Sequence, residues 1–151
     1  MSTATLPVQA VTDEAAILSL IHSISKAHHD KDAAAIAAHF APNAAIYSLA
    51  PPLVHHGIDL TEKQAWLDSW ETPVGIEPRD FSVKVSGDLA VAHGCMRLSG
   101  TKKGAAQPIS FWMRETVCLE RAGSAWRIVH EHASVPFYMD ASLRPAFDLE
   151  P

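Results

Sequence analysis

The chain has 151 residues, of which 48% are apolar and 19% charged, and a formal net charge of −5. This length is enough for one globular domain with a buried core and too short for two ordinary domains. An acidic chain without a Lys/Arg cluster argues against nucleic acid or an anionic membrane surface as a partner, and no apolar run reaches the roughly 18 residues that span a bilayer.

The N-terminal residues do not resemble a signal peptide. Residues Met1 to Val11 have neither the basic start nor the apolar centre of a signal peptide. Cys95 and Cys118 both lie in strand-like runs, which favours buried free thiols over a disulfide or a metal pair. We therefore expect a cytoplasmic protein.

Three helices are predicted before and among the first strands. Thr12 can cap the first helix, whose apolar stripe continues to His28. Trp66 and Trp70 lie four residues apart on one face of the third helix. The predicted helices run from Thr12 to about His28, from Asp30 to Phe40, and from Asp59 to a point before Pro73.

Alternating apolar residues predict strands over most of the remaining chain. The predicted strands cover residues 44–48, 81–85, 89–99, 109–120 and 126–135. Because short turns connect them, we expect an antiparallel meander with helices on one face, which is an α+β architecture. The domain is predicted to span residues 12–138, between an N-terminal tail (1–11) and a C-terminal tail (139–151).

The last predicted strand has polar groups on both faces. His130 and His132 share one face, and Glu131 points to the other. A histidine pair at this spacing can bind a metal ion, but we find no third ligand at a suitable position downstream, and packed or interfacial histidines are the alternative. The adjacent pairs His28-His29 and His55-His56 are more typical of solvated loops or helix ends.

The order of elements, and the closing pattern Trp126-x-x-Val129-His130-x-His132-x-Ser134, resemble the NTF2-like superfamily of cone-shaped α+β domains. Within it, the chain is similar to SnoaL-like proteins and to the association domain of calcium/calmodulin-dependent protein kinase II. Further matching segments are Asn43–Tyr47, Gly57–Asp59, Gly87 with Arg97–Ser99, and Glu115–Thr116. The resemblance covers residues 12–137. It implies three N-terminal helices packed on a strongly curved, mainly antiparallel mixed sheet that encloses a pocket.

The resemblance also implies which residues face that pocket. It places Glu131 inward as an acid/base residue and sends His130 and His132 outward, toward the partner in a homodimer formed through the convex face of the sheet. His93 is a second candidate catalytic residue. The residues implied to bind a ligand are Arg97, Arg114, Tyr47, Trp66, Trp70, Trp112 and Thr116. The alternative for Glu131 and the arginines is a buried pair that satisfies itself.

The chain departs from the ketosteroid isomerases of the superfamily. Their tyrosine and two aspartates correspond here to Ile24, Ser48 and Thr116, which cannot perform that chemistry. Three hypotheses remain open. The first is a protein that binds a small, partly apolar, anionic metabolite, with isomerase, hydratase or cyclase activity possible. The second is a non-catalytic assembly domain, and the third is a metal enzyme that uses His130 and His132. No other cofactor is expected.

Overall fold

A computed structural model describes residues 11–151; the predicted tail at 1–11 therefore lies almost wholly outside the described residues. The elements in chain order are α1 (Asp13–His29), α2 (Ala33–Ala37), β1 (Phe40–Tyr47), β2 (His55–His56), α3 (Leu60–Asp68), β3 (Gly75–Ser86), β4 (Leu89–Gly100), β5 (Ile109–Ala122) and β6 (Ala125–Ser134). Among these residues, no helix is long and apolar enough to cross a membrane.

The helix starts follow the capping residues that the sequence predicts. The Thr12 hydroxyl accepts the backbone N–H of Ala15 at 3.2 Å, and the Asp59 carboxylate accepts that of Glu62 at 2.9 Å. The expected group of three N-terminal helices is not confirmed. The second helix has only 5 residues. The third follows β1 and β2 along the chain and so is not N-terminal to the sheet.

The strands form one sheet in the order β2-β1-β6-β5-β4-β3. Every neighbouring pair is antiparallel except β1 and β6, which are parallel. The predicted α+β fold with a mixed, mainly antiparallel sheet is therefore confirmed. β1 and β6 run in the same direction, so Tyr47 at the end of β1 pairs with His132 near the end of β6.

One face of the sheet, which we call the inner face, packs against α1 and holds the core. Its members are the alternate apolar residues of the central strands, including Ala92, Met96, Met113 and Val117, all buried. The intervening residues form the outer face, which is polar and mostly half-buried or exposed. Burial of the apolar set fixes the register, because a one-residue slip would exchange the two faces.

A β-bulge in β6 changes which residues of that strand point inward. Cys118 pairs with His130, whereas its neighbour Leu119 pairs with Ile128, so Val129 is the additional residue. Before the bulge the even-numbered Ile128 is buried on the inner face. Beyond it, the odd-numbered Glu131 pairs with Val117 and takes the inner face.

Both ends of the domain are tied to the sheet. The Asp13 carboxylate accepts two hydrogen bonds from the guanidinium of Arg121 (3.0 and 2.8 Å) and one from the indole N–H of Trp126 (3.2 Å). At the other end, Ala146 is 2% exposed. The ring of Phe147 lies 4.4 Å from that of Phe111 on β5. Residues beyond Asp140, which the sequence marks as a tail, therefore fold back on the domain.

Candidate functional site

Five side chains gather between the inner face and the helices, and we call them the inner site: His28, Lys63, Trp66, Glu115 and Glu131. His28 comes from the end of α1, and Lys63 and Trp66 come from α3. Glu115 and Glu131 come from the adjacent strands β5 and β6. The inner site thus combines titratable groups from four elements within an apolar surrounding.

The two glutamates are diagonal neighbours on the inner face. Glu131 pairs with Val117, and Glu115 pairs with Ala133. Glu115 is therefore two residues before the partner of Glu131 on β5, and on the same face of the sheet. Diagonal positions of an antiparallel pair are separated by about 7–8 Å, within reach of long side chains. The small Ala133 opposite Glu115 leaves room between the two acids.

Burial makes it hard for both acids to be ionised together. Desolvation, followed by the charge of Glu131, raises the pKa of Glu115 to about 8, with Lys63 acting in the opposite direction. Desolvation also raises the pKa of Glu131, while Lys63 and His130 lower it. At neutral pH the pair therefore holds a proton, and Glu131 is the member whose negative charge Lys63 supports most strongly.

Lys63 is the cation of the inner site. Its Nζ lies 4.7 Å from the centre of the Trp66 ring. Burial lowers the pKa of Lys63, and the charges of Glu131 and Glu115 partly restore it. Its ammonium therefore depends on these two acids for its stability.

His28 contributes a neutral imidazole. It is 8% exposed, and its ring lies 6.2 Å from that of Trp66. Its Nδ1 is 2.9 Å from the carbonyl oxygen of Ile24; because a carbonyl only accepts, Nδ1 carries the proton and Nε2 has a free lone pair. Burial, reinforced by the charge of Lys63, lowers its pKa to about 3. The prediction that His28 is a solvated helix-end residue is wrong, whereas its neighbour His29 is exposed.

The inner site retains contact with solvent. Glu115, Glu131, Lys63 and Trp66 are each half-buried and not fully enclosed, although desolvation is the main influence on all three ionisable groups among them. These side chains are surrounded by protein and still reach solvent. A small molecule that contacts them would meet an acid pair, an amine and an aromatic ring.

Most of the other residues predicted to face a pocket lie on the opposite side of the sheet. His93 pairs with Thr116, and Thr116 pairs with His132, so the three form one row across the outer face. Arg97 pairs with Trp112, and Arg114 pairs with Cys95, in neighbouring outer rows. The inward placement predicted for His93, Arg97, Arg114, Trp112 and Thr116 is wrong, because the apolar residues alternating with them occupy the core.

The outer-face arginines have partners of their own. Arg97 is ion-paired with Glu77 and stacks on Trp112 at 5.7 Å. Arg79 stacks on the same ring at 5.6 Å. Arg114 donates to the Ser134 hydroxyl at 3.2 Å. These contacts form a surface cluster separated from the inner site by the thickness of the sheet.

Tyr47, His130 and His132 form an aromatic group on the outer face. The Tyr47 ring lies 4.9 Å from that of His130 and 5.4 Å from that of His132, and Tyr47 is 42% exposed. Its predicted position in the pocket wall is therefore wrong. Across residues 11–151, no group of three or more His, Cys, Asp or Glu side chains is placed to hold a metal ion, so the pair has no third ligand there.

Of the five inner-site residues, the sequence predicts Glu131 and Trp66 and misses Glu115, Lys63 and His28. Trp66 lines the inner site, whereas Trp70, 1% exposed, belongs to the core and packs on Trp66 at 5.6 Å. Glu115 was missed, although it stands between Met113 and Val117 in an otherwise apolar alternation. Lys63 was missed too, although it shares the helix face of Trp66 and Leu67.

The mixed sheet, the helices on its inner face and the titratable side chains between them define an α+β domain whose candidate site lies between sheet and helices. The chain belongs to the SnoaL-like domain family, whose profile matches residues 17–138. No curated protein matches the chain.

Solved structures support the same fold. An NTF2-like protein of unknown function from Pseudomonas putida KT2440 is similar, with a TM-score of 0.79 and 29% identity over 94% of this chain and 100% of that one. A candidate calcium/calmodulin-dependent protein kinase II association domain from Xanthomonas campestris has a TM-score of 0.70 and 17% identity, covering 85% of this chain and 91% of that one. A candidate scytalone dehydratase from Novosphingobium aromaticivorans has a TM-score of 0.71 and 12% identity, covering 88% and 90%.

Proposed function

We propose that the chain is an acid–base enzyme that acts in the inner site on a small, partly apolar carbonyl compound, with isomerase, hydratase or cyclase chemistry. The observation that carries this proposal is the pair of glutamates on neighbouring strands, buried deeply enough to raise both pKa values. Buried acid pairs with unequal environments are the usual means of placing a base and an acid in one site at neutral pH.

The environments of the two acids suggest their roles. Burial raises the pKa of Glu131, but the positive charge of Lys63 favours its ionised form, so Glu131 is the better placed of the two acids to remove a proton next to a carbonyl group. Glu115, with a pKa of about 8, keeps its proton at neutral pH and can give it to a leaving hydroxyl or to another carbon. Lys63 can stabilise the negative charge that develops on the carbonyl oxygen.

The charge of the inner site favours a neutral substrate. The two arginines expected to hold an anion lie on the outer face, which leaves Lys63 as the cation among the five inner-site residues. With two acids close to it, an anionic ligand would meet repulsion once Glu131 is ionised. We therefore propose a neutral carbonyl compound in place of the anionic metabolite expected from the sequence.

Hydrogen exchange next to a carbonyl tests this proposal without knowledge of the natural substrate. The probe is 2-tetralone, a neutral bicyclic ketone, incubated with the protein in deuterated buffer and followed by NMR. The wild type should accelerate deuterium uptake, and Glu131→Gln should reduce that acceleration by about 10²–10⁴-fold, the usual contribution of a general base.

A control variant separates this effect from general disturbance. Glu120→Gln removes an exposed carboxylate of β5 outside the inner site and should exchange the probe like the wild type. Exchange no faster than in buffer, with folded wild-type protein, would contradict the proposal. Equal exchange by the wild type and Glu131→Gln would do the same.

The outer face supports an additional role in self-association. Val91 and Tyr47 are both 42% exposed there, Val91 in the row of His130 and Tyr47 in the row of His132. We propose that two copies pair through the outer face, including His130 and His132. The fold is shared with association domains, such as that of the Chlamydomonas kinase hub homologue, at a TM-score of 0.63.

A further inference from the structure

We propose that Lys63 is a covalent site, whose amine condenses with the carbonyl group of a small ketone or aldehyde to form an imine. This inference rests on the proposed function, since it names the group that captures the substrate in the same inner site. It adds a step that acid–base chemistry by the two glutamates does not require.

The surroundings of Lys63 favour a role as a nucleophilic amine over a role as an ammonium in a structural ion pair. None of the ion pairs and side-chain hydrogen bonds within residues 11–151 involves Lys63. Two other lysines near this region are engaged: Lys31 donates to the carbonyl of Trp70, and Lys102 donates to the hydroxyl of Ser69. An ammonium that is surrounded by protein and lacks a direct partner is poorly stabilised.

The same surroundings make the neutral amine accessible. Burial lowers the pKa of Lys63, which increases the fraction of amine with a free lone pair at neutral pH. Lysines that form Schiff bases are activated in this way, by desolvation in an apolar pocket. The Trp66 ring, 4.7 Å from Nζ, provides an apolar surface against which a carbonyl compound can lie.

The glutamates complete the proton balance of the step. Glu131 takes a proton from the ammonium, and the free amine forms an N–C bond with the carbonyl carbon while its second proton moves to the carbonyl oxygen. The acid pair then protonates the resulting hydroxyl, the C–O bond breaks and water leaves. The products are a protonated imine on Lys63, one water molecule and a carboxylate, so no oxidant or reductant is needed.

Reductive trapping tests the proposal directly. Wild-type protein is incubated with 2-tetralone and sodium borohydride, and the adduct is located by mass spectrometry of its peptides. We expect a reduced adduct on Lys63. It should be lost in Lys63→Met and in Lys63→Arg, which keeps the positive charge but cannot form the imine.

A matched lysine provides the control. Lys102 lies over the Trp66 ring at 5.1 Å and over the Trp70 ring at 4.3 Å, so Lys102→Met removes a neighbouring amine and should leave the Lys63 adduct unchanged. An absent adduct, or one shared evenly among surface lysines, would overturn the inference. Deuterium exchange without trapping would overturn it and leave the proposed function standing, whereas trapping without exchange would support it and contradict the roles given to the glutamates.

Discussion

Glu115 occupies the polar position between the buried Met113 and Val117 on the inner face of β5. A carboxylate there would lose its hydration and face the charge of Glu131, so the side chain retains its proton to a much higher pH than in the unfolded chain. A proton that the folded state holds and the unfolded state releases links stability to pH.

We predict that Glu115 makes the protein less stable as pH rises. Its pKa is raised from 4.5 to about 8, so the favourable contribution is complete below about pH 4.5 and is lost as pH rises through 8. The free energy of unfolding should fall by up to about 1.4 kcal/mol per pH unit for this one proton. Glu115→Gln, which cannot ionise, should lack this loss.

Urea unfolding of both proteins at pH 6, 7, 8 and 9 measures the difference. The buried His28, whose pKa is lowered to about 3, is present in both proteins, so its effect on the slope cancels in their difference. The variant should gain stability relative to the wild type as pH rises, while the exposed-site control Glu120→Gln runs parallel to the wild type. If the difference in unfolding free energy between Glu115→Gln and the wild type did not change with pH, the raised pKa of Glu115 would be contradicted.

Sequence reasoning placed Glu131 on the inner face but missed Glu115 and Lys63 beside it, for a physical reason. The prediction placed Thr116 inward by resemblance, and alternation then sent Glu115 outward. The apolar alternation of β5 itself, with Met113, Val117 and Leu119 on one face, gives the opposite and correct assignment. Lys63 shares the helix face of the buried Leu67, but the part of the sheet that this face meets is set by tertiary packing and not by the local pattern.

At the scale of elements, α3 supplies both Lys63 and Trp66 and is short, with 9 residues. Short helices have little stability of their own and depend on their caps and on tertiary packing. The carboxylate of Asp59 supplies the cap, by accepting the N–H of Glu62 at 2.9 Å. The geometry of the inner site therefore depends on one capping interaction at the start of this helix.

We predict that Asp59→Ala lowers the free energy of unfolding by about 1 kcal/mol, the usual cost of a lost N-cap, and also weakens probe exchange. Thr12→Ala removes the equivalent cap of α1, far along the helix from His28. It should have a similar cost in stability, with exchange unchanged. Chemical unfolding and the 2-tetralone assay measure the two effects, and equal losses of exchange in both variants would contradict the link between α3 and the site.

The element order was largely predictable, because caps and alternation are local. The start of α1 after Thr12, the start of α3 after Asp59 and the strands β4, β5 and β6 follow the predicted signals, whereas β3 begins at Gly75 and not at Phe81. The short β2 at His55–His56 was not predicted, since it exists only by pairing with Ala45 and Ile46 of β1. A strand of two residues is too short to show an alternation of apolar and polar residues, so the sequence cannot reveal this pairing.

At the scale of the whole molecule, the sheet separates two kinds of surface. The inner face carries the acids and the amine, and the outer face carries arginines, histidines and exposed apolar groups. The family and the fold were recognisable from the order of the elements, but function was not, because the same fold supports enzymes and assembly modules alike.

We predict a homodimer that Val91→Lys dissociates. Val91 lies on the outer face, paired with Cys118, which in turn pairs with His130, so a buried lysine there would weaken association by at least about tenfold, equivalent to 1.4 kcal/mol. Sedimentation equilibrium gives the dissociation constants. Met139→Lys, at an apolar position 89% exposed on the C-terminal segment, is the control and should dimerise like the wild type. A monomeric wild type, or a dimer unaffected by Val91→Lys, would contradict the proposed interface.

The bulge at Val129 has a consequence for the comparison of relatives. Because it shifts the alternation of β6 by one residue, the spacing between Trp126 and Glu131 decides whether the acid or the histidines share the inner face with Glu115. A relative that keeps the glutamate but lacks one residue in this interval would carry the same motif facing the wrong way. An alignment gap at this single position is therefore a better sign of changed chemistry than the substitution of any histidine.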